Sequence, residues 1–167
     1  AWGAPFPVTF NGLFDAFGAY GGSGATLGLV IALILFSKAK DQKSIAKLSL
    51  APGIFNINEM VIFGLPIILN PIYIIPFVLA PIVNIIIGYS ATCIFKIIPP
   101  VAYGVPWTTP GPLIPFLGTG GNVLALLIGV LCLAVSVLIY APFVIAAGKA
   151  SQVDDDNSEK DTTEGLA

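Results

Sequence analysis

Two groups of polar residues interrupt an otherwise apolar chain: Asn56, Asn58 and Glu59 within FNINE, and Trp107, Thr108 and Thr109 within VPWTTP. Their types suit recognition of a sugar. Carboxylate and amide groups accept and donate hydrogen bonds at fixed angles, and an indole packs well on the apolar face of a pyranose ring. Glu59 leads this set, because a carboxylate at mid-depth in lipid costs about 3 kcal/mol or more and is retained where it serves a function. Its bland alternative is a solvated loop acid or a partner of a nearby lysine. Asn58 is either a ligand group or a half-helix cap, and Asn56, three residues before Glu59, either contacts substrate or holds the turn. Trp107 is either a stacking surface or an interfacial anchor, the commonest use of tryptophan in membrane proteins.

Other chemistry is excluded by what is missing. The chain has no histidine, so serine-histidine and cysteine-histidine catalysis are unavailable to it. Cys93 and Cys132 sit singly in apolar runs, as small buried hydrophobes do. Without clustered Cys or carboxylates, no protein metal site is expected. The glycines of GGSGATLG (Gly21, Gly22, Gly24 and Gly28) lack the Lys-Ser/Thr and the preceding strand of a phosphate loop, and suit close helix packing better. No catalytic residue, cofactor or nucleic-acid contact is expected.

The elements that must position these residues lie in a membrane. Hydrophobic residues make up 56% of the 167 and charged ones 10%, with a mean hydropathy of +0.94, which a water-soluble domain of this size does not carry. The expected fold class is all-α integral membrane, with transmembrane helices, re-entrant hairpins and proline-broken helices. Residues 1–150 form the membrane domain, with three acids against six lysines. Residues 151–167, with six acids against one lysine, read as a disordered acidic cytoplasmic tail. The opening AWGAPFPVTF has no basic region and does not resemble a signal peptide; it reads as the middle of something longer.

Residues 16–36 make a first span of roughly 20 residues. It stops at Lys38, Lys40, Lys43 and Lys47, which mark a cytoplasmic loop. Residues 51–70 are long enough to cross, but Asn56, Asn58, Glu59, Gly53, Gly64 and Pro66 make an unbroken lipid-facing helix a poor solution, and a re-entrant hairpin lining a cavity a good one. Pro66, Pro71, Pro76 and Pro81 recur every five residues, rotating each about 140° from the last, so residues 72–88 are expected to be kinked or locally unwound. Residues 99–115 read as loop or re-entrant coil around Trp107, and residues 121–148 as the final span. If the hairpin returns to the lysine side, Lys149 and the tail finish on that same side.

PGIFNINE, VIFGLPIILNP and IPFVLAP, with GAPFPVTF, GGSGATLGLVI, VPWTTP and LIYAPF in the right order, resemble the IIC membrane subunit of the lactose/cellobiose/diacetylchitobiose group of bacterial phosphotransferase-system permeases, over roughly residues 3–145. The resemblance is to the C-terminal half of that subunit. It implies a multi-pass protein of the bacterial plasma membrane that binds a β-linked disaccharide and carries it inward. A separate IIB subunit bears the phosphocysteine, and a homodimer forms through the missing N-terminal half. It places Glu59, Asn58 and Trp107 at the sugar. The chain departs from the family in having Met60 where proline follows the glutamate, and in lacking the sugar-site histidine of the missing half. The alternative is a non-transporting membrane remnant that only associates with other subunits.

Overall fold

The structure, a computed structural model, describes residues 8–65 and 67–164, with side chains undescribed at Ile68 and from Ala150 onward. Helices dominate, and no strand occurs among the described residues. A π-helical segment, Asn11–Gly18, leads through a glycine turn into α1, Thr26–Phe36. The helix α2, Lys40–Ile54, and the short α3, Glu59–Gly64, flank a tight turn. The helix α4, Pro71–Tyr89, continues as a π-helical segment, Ser90–Ile94, and coil then leads to α5, Leu113–Gly118. The last helix is α6, Val123–Glu164.

Three stretches are long and apolar enough to cross a membrane: Asn11–Phe36, Pro71–Ile94 and Val123–Lys149. The first is a discontinuous span where an even helix was expected, because four residues between its halves take positive φ. Of the lysine cluster, expected as loop, Lys38 lies in the link between α1 and α2, while Lys40, Lys43 and Lys47 are on α2.

The expected hairpin is present. The chain goes in through α2, turns at residues 55–58 and comes back through α3. Its return is fixed by side chains at the lysine end. The Tyr73 hydroxyl, near the start of α4, reaches Gln42 Oε1 at 3.4 Å, and Ser37 Oγ, just past α1, donates to the same oxygen at 2.9 Å. The end of α1 and the starts of α2 and α4 therefore share one level. Val144 and Ala147 of α6 belong to the same core cluster as Ala46 and Tyr73.

Pro76 and Pro81, which were expected to leave this segment kinked or locally unwound, lie buried inside α4, and the helix continues through both. Asn70 caps it by accepting from the Ile72 amide at 3.0 Å, with Pro71 in the first turn where its missing N–H costs nothing. The irregular backbone comes later, at Ser90–Ile94.

Core side chains form two clusters. One joins Leu29, Leu33, Tyr73 and Tyr140; the other joins Phe17, Tyr20, Ile98 and Cys132. Close packing of α1 on α6 holds at Gly28, where a Cβ would lie 2.6 Å from Ser136 Cβ. Between α4 and α6, Asn84 Nδ2 donates to Ser136 Oγ at 2.8 Å, a buried polar contact suited to helix pairing in lipid. Cys132 is buried as expected, whereas Cys93 is partly exposed. The backbone of residues 151–164 continues α6, where composition predicts a disordered tail: extending an existing helix carries no nucleation cost. Residues 165–167 lie outside the described residues.

Candidate functional site

The break in the first span supplies backbone groups that a continuous helix would consume. Gly21, Gly22, Gly24 and Ala25 have φ of 79°, 90°, 81° and 52°, so the first three glycines serve a positive-φ turn, and Gly24 also packs close against α4, where a Cβ would collide with the Phe77 ring. The turn is held from two sides. From α6, the Tyr140 hydroxyl donates to the Gly24 carbonyl at 2.6 Å. From the hairpin tip come Asn56 and Asn58.

Asn56 is 7% exposed and is engaged at both ends of its amide. Its Oδ1 accepts from the Gly21 amide at 2.7 Å, while Nδ2 donates to the carbonyls of Trp107 at 2.6 Å and Thr109 at 2.9 Å. One side chain thus ties together the glycine turn, the hairpin and the proline-rich coil. Both amide hydrogens are spent internally, so Asn56 acts as a positioning residue and has no donor left for a sugar. Its own φ of 63° is tolerated by asparagine better than by most residues. Asn58 is also buried, with Nδ2 donating to Ser23 O at 2.9 Å and Ser23 Oγ at 3.2 Å. Gly22 is required at this contact, since a Cβ there would sit 2.7 Å from Asn58 Cγ.

Glu59 follows directly as the first residue of α3 and is exposed. The helix begins there with Met60 in its first turn, so proline is not needed for the turn to close. Trp107 is 63% exposed, its backbone fixed by Asn56 and its indole left free at the surface. Beside it lies an open cavity of about 70 Å³, lined by Asp15, Ala19, Gly22, Asn56, Trp107 and Ile114. Two of the four residues expected at the site, Asn56 and Trp107, line this cavity. Asn58 buttresses its wall through Gly22, and Glu59 stands next to Asn58 without lining it.

Asp15 is the residue that sequence reasoning missed. Its signal was nonetheless present: a lone carboxylate within an apolar stretch of 26 residues, the same anomaly that singled out Glu59. It sits on the π-helical segment, a backbone form often found at functional sites. Among the described residues no group of three or more metal-ligating side chains comes together.

Three membrane-length apolar helices, a re-entrant hairpin and an open cavity at a helix break define a multi-span membrane protein with the features of a transporter. Residues 4–81 match the family model for the phosphotransferase system EIIC component. The chain is 49% identical over 146 residues to a cellobiose-specific EIIC component of Lactococcus lactis, covering 87% of this chain and 29% of that protein. It is 40% identical over 130 residues to the lichenan permease IIC component of Bacillus subtilis, covering 78% and 29%. The lactose-specific EIICB component of Staphylococcus aureus is 35% identical over 153 residues, with 88% of this chain and 25% of that protein covered. Among solved structures, the transporter ChbC, the IIC component from the N,N'-diacetylchitobiose-specific phosphotransferase system, superposes with a TM-score of 0.79 at 40% identity, covering 86% of this chain and 33% of that one. The chain belongs to the EIIC family of phosphotransferase-system permeases. It spans a quarter to a third of the length of these relatives, a smaller share than the half expected from the resemblance.

Proposed function

We propose that this chain is the sugar-handling segment of a phosphotransferase-system permease. It binds a β-linked disaccharide such as cellobiose, lactose or diacetylchitobiose and carries it inward across the bacterial plasma membrane, with phosphorylation by a IIB subunit. Glu59 and Asn58 bind sugar hydroxyls, and the Trp107 indole packs on a ring. Asn56 sets the spacing between them. A homodimer forms through chain segments supplied by the longer permease.

The observation that carries this reading is the three-way clasp at Asn56, which holds the Trp107 coil, the FNINE tip and the glycine turn around one cavity. Such convergence of irregular backbone within apolar spans is tolerated where it lines a cavity, and it is the usual construction of transporter substrate sites. The relatives named for cellobiose, lichenan, lactose and N,N'-diacetylchitobiose agree on the β-linked class.

The test is disaccharide uptake by cells carrying the chain with its full partner set. Glu59→Gln is expected to abolish uptake while leaving membrane insertion intact, because the exposed side chain has no structural partner to lose among the described residues. Uptake at the parental rate would remove Glu59 from the site. A non-transporting remnant, by contrast, binds no labelled disaccharide in any combination.

A further inference from the structure

We propose that Asp15 lets this site hold a neutral sugar and expel the phosphorylated product. The inference rests on the sugar reading above and adds a role for a residue outside the FNINE and VPWTTP motifs.

Asp15 reaches the cavity from the π-helical segment Asn11–Gly18, with Ala19 one turn on and Gly22 beyond it, and faces it together with Asn56 and Trp107. Among the described residues no hydrogen bond or ion pair engages its carboxylate. No lysine lines the cavity either. The amide hydrogens of Asn56 are committed to the Trp107 and Thr109 carbonyls. The charged valence left free in the wall is therefore the Asp15 carboxylate, which accepts hydrogen bonds and donates none, beside the uncharged Trp107 indole N–H. A hydroxyl-rich neutral ligand satisfies both, whereas an anion meets a negative charge and no positive one.

The ligand's charge changes during the proposed reaction. Phosphoryl transfer from the IIB cysteine breaks an S–P bond, forms an O–P bond to a sugar hydroxyl and releases that hydroxyl's proton, leaving a phosphate monoester of about −1.5 to −2 charge at neutral pH. Beside an uncompensated carboxylate in the wall of an open cavity, that charge is repelled at close range, an effect that added salt weakens. The substrate enters neutral, and the product leaves because the wall that welcomed its hydroxyls rejects its phosphate.

The experiment measures binding of cellobiose, and of cellobiose phosphorylated on a primary hydroxyl, to the full chain in nanodiscs. The parent chain is expected to prefer the neutral sugar by about tenfold or more, with the preference shrinking as salt is raised. Asp15→Asn keeps the shape and removes the charge, and is expected to cut the preference at least about fivefold, while Asp15→Glu retains it. An unchanged preference in Asp15→Asn, or equal binding of both ligands by the parent, overturns the role of Asp15 and leaves the sugar reading standing. If the parent chain binds neither cellobiose nor diacetylchitobiose, the sugar reading itself fails and this inference with it.

Discussion

Asn56 and Asn58 are two residues apart and chemically identical, yet their surroundings give them different work. Asn56 satisfies a backbone donor of one segment and two carbonyls of another, so Asn56→Ala would strand three polar groups at once. Leaving buried backbone groups unpaired costs about 1–3 kcal/mol each before water enters, and a net loss of about 2–4 kcal/mol is expected. Thermal unfolding in detergent checks this. Asn58 serves one segment only, so Asn58→Ala is expected to cost about 1–2 kcal/mol on the same assay. Comparable losses for the two would show that the clasp is not centred on Asn56. Both asparagines were visible in the sequence as polar intruders, but which of them ties distant segments together was not. That depends on where Gly21 and Trp107 lie, 35 and 51 residues away in the chain.

At the scale of elements, the glycine turn is the joint on which the site is built. Gly22 has φ of 90° and no room for a Cβ against Asn58. Gly22→Ala is therefore expected to displace the hairpin tip and abolish disaccharide binding, with a loss of stability of about 2 kcal/mol or more. Tyr140→Phe removes only the hydroxyl that holds the Gly24 carbonyl, and is expected to cost about 1 kcal/mol with binding retained. Read together by unfolding and by equilibrium binding, the pair separates the two supports of the turn. The GGSG motif announced a special backbone in the sequence, but close helix packing and a left-handed turn call for the same residues. Only the tertiary contacts distinguish Gly28, which packs on α6, from Gly21, Gly22 and Gly24, which make the positive-φ turn, the last of them also packed close against Phe77 of α4. The prolines of α4 teach the reverse lesson. Spacing predicted a kinked or locally unwound segment, and the backbone stays helical through Pro76 and Pro81, both buried within it.

For the whole molecule, the contacts of Gln42 with Ser37 and Tyr73 make a topological prediction. The hairpin returns to the side it left, so α4 crosses outward and α6 crosses back. Single cysteines at the exposed Lys38 and Lys149 are expected to react with a membrane-impermeant thiol reagent from the cytoplasmic face, and one at Lys96 from the opposite face, each measured with Cys93 and Cys132 replaced. Labelling of positions 38 and 149 from opposite sides would convert the hairpin into a full span.

Composition and the order of apolar runs determined the solvent of this chain, its three spans and the position of the hairpin, because burying about 20 apolar residues and excluding a carboxylate from lipid are demands that local sequence alone sets. Short motifs determined the family. The tertiary structure decided what those demands leave open: that the first span is broken, that Asn56 is a clasp, and that Asp15 shares a cavity with Trp107. Each of these depends on groups far apart in the chain meeting at one point, and such a meeting is settled by packing, not by pattern.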